Sequence, residues 1–297
     1  MGAVFAGWEG QIEQTSSGDF TGTIQIVAGR LVRAVAAEGT QRLRVRGRDG
    51  SGLLAIYPMC SRMARCAWNR GFIDQGQIYV GGYEDEIDIG SERQFSGRVA
   101  FVDPQVLNAA VQSLLKTDDP TVFRHSTTRS PAPDVFTIVD RQLNRLFGLC
   151  QGNPSLIGTP EGRQLEQECL LALVTALFPT VGSATERSPR VRSKLLDRAE
   201  DYLRSHLRDS VGMIDLCQAT EANDRTLRLA FQERYGLGPM TYYRFLRLNA
   251  VRSKLKLHRE ISIADAAAEF GFHHLGNFAA DYRRLFGMRP SETKRIG

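Results

Sequence analysis

The sequence predicts an α+β chain: an amino-terminal small β-barrel with trailing helices, then an all-α domain of seven helices. Three observations predict it. Up to about residue 103 the chain runs in short alternating stretches broken by glycine. From Pro104 the apolar residues recur at helical spacing. The last hundred residues hold two short helical units of one design, each ending in an aromatic–glycine turn.

The strand-rich part begins with TGTIQIVAGRLVRAVAAEG, which Gly29 and Gly39 interrupt. QRLRVRG puts Leu43 and Val45 on one face and Arg42, Arg44 and Arg46 on the other. LLAIYPM, two short runs in FIDQGQIYVGGYEDEIDIGSE, and GRVAFVD complete a set of strands with glycine turns, the pattern of a small barrel or sandwich. PQVLNAAVQSLLK then reads as a helix with Pro104 in its first turn. VFTIVDRQLNRLFGLC and the strongly apolar RQLEQECLLALVTALF follow as two more helices. In the last, Leu165, Cys169, Leu170, Leu173 and Leu177 fall broadly on one side, fit for a homodimer contact or for packing on the chain's own barrel. The Gly-, Ser-, Thr- and Pro-rich stretch ending at Pro189-Arg190 divides the chain into residues 1–180, a linker 181–190, and residues 191–297.

A chain of 297 residues with 42% hydrophobic content suits two cores. No run approaches the length of a membrane-spanning helix, and the start lacks the basic-then-apolar order of a secretory signal. Five scattered cysteines without a close Cys-x-x-Cys pair suit a reducing cytoplasm. Residues 191–297 hold 19 Lys and Arg against 13 Asp and Glu, while the remainder holds 19 against 20. The basic excess therefore lies with the helical repeat, as an electrostatic footprint for nucleic acid would.

The first repeat unit reads VGMIDLCQATEANDRTLRLAFQERYGLGPMTYYRFLRLNAVRSKL and the second ISIADAAAEFGFHHLGNFAADYRRLFGMRPSE. A helix-turn-helix lays one short helix across the DNA backbone and presents the next to the major groove. In the first unit Asn223 or Asp224 can cap the presented helix. Leu227, Ala230 and Phe231 form its inner stripe. Arg225 and Arg228, three apart, share its outer side and can bridge guanine acceptors. In the second unit Gly271 suits a sharp turn between Phe270 and Phe272. His273, His274 and Asn277 lie near the start of the presented helix, and Arg283 and Arg284 near its end, placed for phosphates. Arg247, Arg252 and Lys254 on the helix between the units add positive surface for the DNA backbone. That helix would set the separation of the two presented helices at about 34 Å, one turn of DNA. Adjacent histidines on a helix diverge, and no metal site is expected.

The patterns RTLRLAFQERYGLGPMTYYRFLRL and GFHHLGNFAADYRRLFGMRPSE resemble the AraC/XylS family of bacterial transcription regulators over about 195–296. HHLGNFAADYRRLFG is also similar, more weakly, to the ethanolamine-utilisation regulators. The family resemblance implies a seven-helix DNA-binding domain whose third and sixth helices enter successive major grooves. It puts base-reading positions on Arg225, Arg228 and Leu229, and on Leu275, Gly276 and Ala280. Gly276 and Ala280 cannot reach bases with hydrogen bonds, so His273, His274 and Asn277 read there, or groove shape is read instead, or the first unit specifies and the second mainly anchors. The resemblance further implies a cupin-like barrel that binds a small-molecule effector or dimerises, contact with RNA polymerase, and action as an activator on double-stranded promoter DNA. Arg44, Tyr57, Trp68, Phe72, Tyr79 and Tyr83 are the candidate effector-pocket residues. No cofactor is expected: the first half has one histidine, His125, and no phosphate-binding loop or nucleophile elbow in a convincing context.

Two rival readings remain at this level. A barrel filled by its own side chains would favour a first domain that binds a protein. A cluster of acid, base or nucleophile in residues 1–130 would favour an enzyme fused to a DNA-binding domain.

Overall fold

The computed structural model describes residues 8–59, 65–68, 71–82, 85–115, 123, 126–178 and 194–296. The 181–190 linker, Tyr83 and His125 lie outside the described residues. The chain divides into two compact units: Met1–Gln11, Gly22–Gly39 and Val45–Val191 form one, and Ile12–Thr21, Thr40–Arg44 and Arg192–Gly297 the other.

The strands are β1 (Trp8–Gln14), β2 (Gly22–Ala28), β3 (Arg33–Gly39), β4 (Leu43–Asp49), β5 (Leu54–Pro58), β6 (Arg65–Trp68), β7 (Gly71–Asp74), β8 (Ile78–Gly81), β9 (Ile87–Gly90), β10 (Phe95–Val102) and β11 (Thr127–Arg129). They make two open sheets, ordered β1-β4-β9-β6-β7 and β11-β8-β5-β10-β3-β2. The expected cupin-like barrel is therefore wrong: among the described residues neither sheet closes on itself. Alternation and glycine turns specify strands with one buried face, and that pattern is common to barrels and stacked sheets. Closure needs edge strands that meet with matched stagger. Here the six-stranded sheet ends in a three-residue strand, β11, at one edge and the seven-residue β2 at the other.

Helices α1 (Pro104–Leu115), α2 (Pro133–Cys150) and α3 (Pro160–Leu177) belong to the same unit. Residues of the six-stranded sheet alternate between two cores. Leu54, Ile56, Ile78, Val80, Ala100 and Val102 face the helices and pack with Leu107, Val139, Leu143, Leu165, Cys169 and Leu173. Tyr57, Tyr79, Phe95 and Val99 face the other way and pack with Cys66, Ile73, Ile87 and Ile89 of the second sheet. The α3 stripe of Leu165, Cys169, Leu170, Leu173 and Leu177 is buried in the first of these cores. It packs on its own chain and offers no dimer face. Glu166, 1% exposed on the same helix, accepts backbone N–H bonds from Leu31 (2.8 Å) and Val32 (3.2 Å) and so ties down the β2–β3 turn.

The second unit contains α4 (Lys194–Ser205), α5 (Met213–Thr220), α6 (Asp224–Tyr235), α7 (Pro239–Leu257), α8 (Ile263–Glu269), α9 (Leu275–Phe286) and α10 (Pro290–Ile296). The long α7 is its spine. Tyr242, Tyr243 and Leu246 join a core with Leu196, Leu203, Leu216, Leu227 and Phe231. Leu248, Val251 and Leu255, further along the same helix, join a second core with Ala266, Ala267, Phe278, Tyr282 and Phe286.

Candidate nucleic-acid interface

Each core supports one helix-turn-helix, and the two turns are made alike. In the first, Ala222 donates to Cys217 O (3.1 Å) and Glu221 to Gln218 O (3.3 Å). In the second, Phe272 donates to Ala267 O (3.0 Å) and Gly271 to Ala268 O (2.9 Å). Glu221 and Gly271 both take positive φ, 54° and 72°. This is the left-handed closure that satisfies the last carbonyls of a helix. The presented helices then end alike. Gly236 (φ 65°) closes α6 and Gly287 (φ 72°) closes α9. Pro239 and Pro290 start the helices that follow.

Their starts differ. Asn223 caps α6 by accepting from Thr226 N at 2.8 Å. His274 precedes α9 without a side-chain cap. Leu227 and Phe231 turn inward on α6, as do Phe278, Tyr282, Leu285 and Phe286 on α9. The opposite faces are exposed. On α6 that face carries Arg225, Arg228 and Leu229. On α9 it carries Leu275, Gly276, Asn277, Ala279, Ala280 and Arg283, preceded by exposed His273 and His274.

The outer faces differ in chemistry. Arg228 is already engaged, its Nε 2.7 Å from Asp224 Oδ1 one turn back. Such an exposed pair is weak, so a guanine can compete for the guanidinium. Leu229 is 61% exposed on the same face, an apolar surface that suits a thymine methyl group. On α9 the exposed face borders a groove of about 560 Å³ lined by Ile263, Ala264, Leu275, Ala279, Arg283 and Arg289, among others. Small residues there leave room where α6 offers arms. The engagement of Arg228 follows from its spacing to Asp224, a signal legible in the sequence but unused in the reading of the helix.

The expected backbone cations separate into two groups. Arg283 and Arg284 are exposed, the latter 3.6 Å from Asp281. The α7 cations are committed within the fold. Arg247 donates to Phe270 O and lies over the Phe272 ring at 4.7 Å, bracing the second turn. Its burial lowers its pKa from the usual value. Arg252 covers the Phe286 ring at 4.5 Å. Lys254 pairs with Glu269 at 2.8 Å, and Arg208 reaches the same carboxylate at 2.7 Å.

The candidate effector-pocket residues that the structure describes fall in both of its units. Tyr57 and Tyr79 are buried between the two sheets, and Tyr57 Oη abuts Gly97 so closely that no Cβ fits there. Phe72 is half-buried on β7, and of Trp68 only the backbone is described. Arg44 belongs to the second unit, 3% exposed, with its guanidinium on Glu200 and Tyr242.

A helix-turn-helix domain family model matches residues 216–296. The XylDLEGF operon transcriptional activator 2 of Pseudomonas putida is 31% identical over 124 residues, 41% of this chain and 79% of that protein. The probable thc operon regulatory protein of Rhodococcus erythropolis is 28% identical over 173 residues, 54% of this chain and 51% of that one. The chain thus spans about half the length of the second relative and about four fifths of the first. A solved structure of a probable AraC family transcriptional regulator from Rhodopseudomonas palustris is 30% identical, covers 35% of this chain and 97% of that one, and has a TM-score of 0.33. These relatives give no support to the narrower resemblance to ethanolamine-utilisation regulators. With two exposed presenting helices on matched turns, and this identity across most of a XylDLEGF activator, the chain belongs to the AraC/XylS family of DNA-binding transcriptional regulators.

Proposed function

We propose that the chain binds promoter DNA through α6 and α9 in successive major grooves and activates transcription in response to a small-molecule effector. The exposed outer faces of two presenting helices, one rich in arginine and one in small residues, carry this reading. Arg225 and Arg228 read guanines, and Leu229 contacts a thymine methyl. His273, His274 and Asn277 supply the hydrogen-bonding groups of the second half-site, while Arg283 and Arg284 hold phosphates. Activation is supported by relatives named as operon transcriptional activators, and contact with RNA polymerase is proposed along with it. The effector would act through the first unit. The site of action is the cytoplasm, and no helix of the described residues is long and apolar enough to cross a membrane.

The relatives are named as a regulatory protein and as operon activators, which supports regulation rather than catalysis as the chain's function. The aromatic fill between the sheets favours, as a second reading, a first unit that answers to a protein partner.

Genome-wide mapping of bound DNA in cells, with and without candidate growth substrates, tests the proposal. A few sharp promoter peaks that change with one substrate are expected. No enrichment in any condition, together with no preference by purified protein in a random-sequence pool, overturns it.

A further inference from the structure

The second unit contains two short segments from far upstream, Ile12–Thr21 and Thr40–Arg44. They are joined to each other by Thr15 N to Arg42 O (2.9 Å) and Ser16 Oγ to Gln41 Oε1 (2.8 Å). Further bonds from them go to the ends of both presented helices. Arg42 Nη1 donates to the carbonyl of Tyr235, the last residue of α6, at 3.0 Å. Gly18 N donates to the carbonyls of Arg284 (3.1 Å) and Leu285 (3.2 Å) in the last turn of α9, and Gln14 Nε2 reaches Leu285 O as well. Both closing glycines are covered. A Cβ on Gly236 would strike the Arg42 guanidinium, and one on Gly287 would strike Asp19.

The spine is held too. Gln14 N donates to Asn249 Oδ1 (3.0 Å) and Asn249 Nδ2 returns a bond to Gln14 O (2.9 Å), midway along α7. Glu13 accepts from the two terminal nitrogens of Arg204, at 2.9 and 2.7 Å. Arg44 meets Glu200 in full burial, where Tyr235 and Tyr242 also donate, at 2.6 and 2.7 Å.

We infer that these segments form a clamp that sets the spacing and angle of the two presented helices, with Arg42 and Gln14 as positioning residues for DNA reading. The last-turn carbonyls of a helix have no partner of their own. A rigid body that bonds to those of two helices at once fixes them relative to one another. β1 and β4 run directly into the clamp, since residues 12–14 and 43–44 are their ends. A change in either strand therefore passes by chain continuity to the reading geometry. The inference rests on α6 and α9 being the DNA-reading helices.

The test uses the full chain and duplexes recovered by wild type from a random-sequence pool. Three probes are compared: the selected duplex, the same duplex with one base pair inserted between its half-elements, and one carrying only the α6 half-element. Wild type should lose about tenfold in affinity on the insertion, comparable to one mismatched pair. Arg42→Ala and Gln14→Leu should cut that loss to about twofold while binding to the single half-element stays within about twofold of wild type. Arg42→Gln, which keeps a donor and removes the charge, should retain most of the spacing selectivity. Unchanged spacing selectivity in Arg42→Ala overturns the clamp. So does a uniform loss on all probes, whether with a lower thermal midpoint, which marks a purely structural role, or with a salt slope shallower by about one, which marks a phosphate contact. If Arg42→Ala does not fold, Gln14→Leu decides by the same criteria. Failure of the underlying reading shows elsewhere: Arg225→Ala would then leave discrimination between selected and random DNA unchanged.

Discussion

In the first helix-turn-helix unit the turn is made by Glu221, a residue with a Cβ held at φ 54°; in the second it is made by Gly271 at φ 72°, braced by Arg247. The first unit then presents arginines and a leucine from a side-chain-capped helix, and the second presents small residues beside a groove. Their backbones repeat while their surfaces diverge. Repetition of the scaffold follows from the shared need to close a helix and start another within a few residues. Divergence of the surface is free, because outward side chains touch nothing that the fold requires. In the function proposed above the two surfaces would divide the labour, α6 reading with arginine and leucine and the second half-site being read by His273, His274 and Asn277.

The largest expected effect lies under the first unit. Glu200→Ala leaves Arg44 buried without its counter-charge and should destabilise the chain by about 3–5 kcal/mol, read from the denaturant midpoint. A loss near that of a surface substitution would show that water reaches Arg44. The second unit offers a titration. Burial pushes the Tyr282 phenol up to about 12, against a partial counter-effect of its 2.9 Å bond to Thr293 Oγ1. A raised folded-state value stabilises fully below the ordinary tyrosine value near 10 and is lost as pH rises from there towards 12. Stability should thus fall by on the order of 2 kcal/mol across that window, and the fall should be smaller in Tyr282→Phe. An equal fall in the variant would assign the alkaline loss to other groups.

For DNA, Arg225→Ala should cost about 1–3 kcal/mol on the selected duplex and relax preference at one position, whereas Arg283→Ala should weaken all sequences alike and reduce the salt slope by about one. If Arg225→Ala behaved like Arg283→Ala, α6 would not be the specifying helix. The turns give the smallest and cleanest contrast. Gly271→Ala should destabilise by about 1–2 kcal/mol, since an L side chain disfavours that φ and Arg247 occupies the space. Glu221→Gly should stabilise by roughly 1 kcal/mol by relieving the same strain. The exposed pair it loses, with Arg198 at 3.7 Å, is worth little. Shifts of the same sign in the two variants, in parallel thermal melts, would mean that the turns are not equivalent.

How much of this was legible depended on range. Helix positions in the second unit followed from apolar spacing, and α6 and α9 start at Asp224 and Leu275, within a residue of where the pattern puts them. Arg283 and Arg284 were expected on the outside and are exposed. Arg247 and Lys254 look identical to them in sequence, yet one braces a turn and the other pairs with Glu269. A basic residue on a helix carries no mark of which neighbouring helix will pass beside it.

The sequence by itself determined the helical repeat, its inner stripes, its glycine closures and the bias of positive charge towards residues 191–297. All of these are local: they depend on periodicity of 3.6, on the freedom of glycine at positive φ, and on composition. Only the tertiary structure decided that the strands form two open sheets, because a strand's alternation says which face is buried and nothing about which edges meet. It alone placed Arg44 on Glu200 and put Gln14, Asp19 and Arg42 at the ends of α6 and α9. Those partners are separated by between 156 and 271 residues in the hydrogen bonds they make, a distance over which one chain's spacing holds no periodic signal.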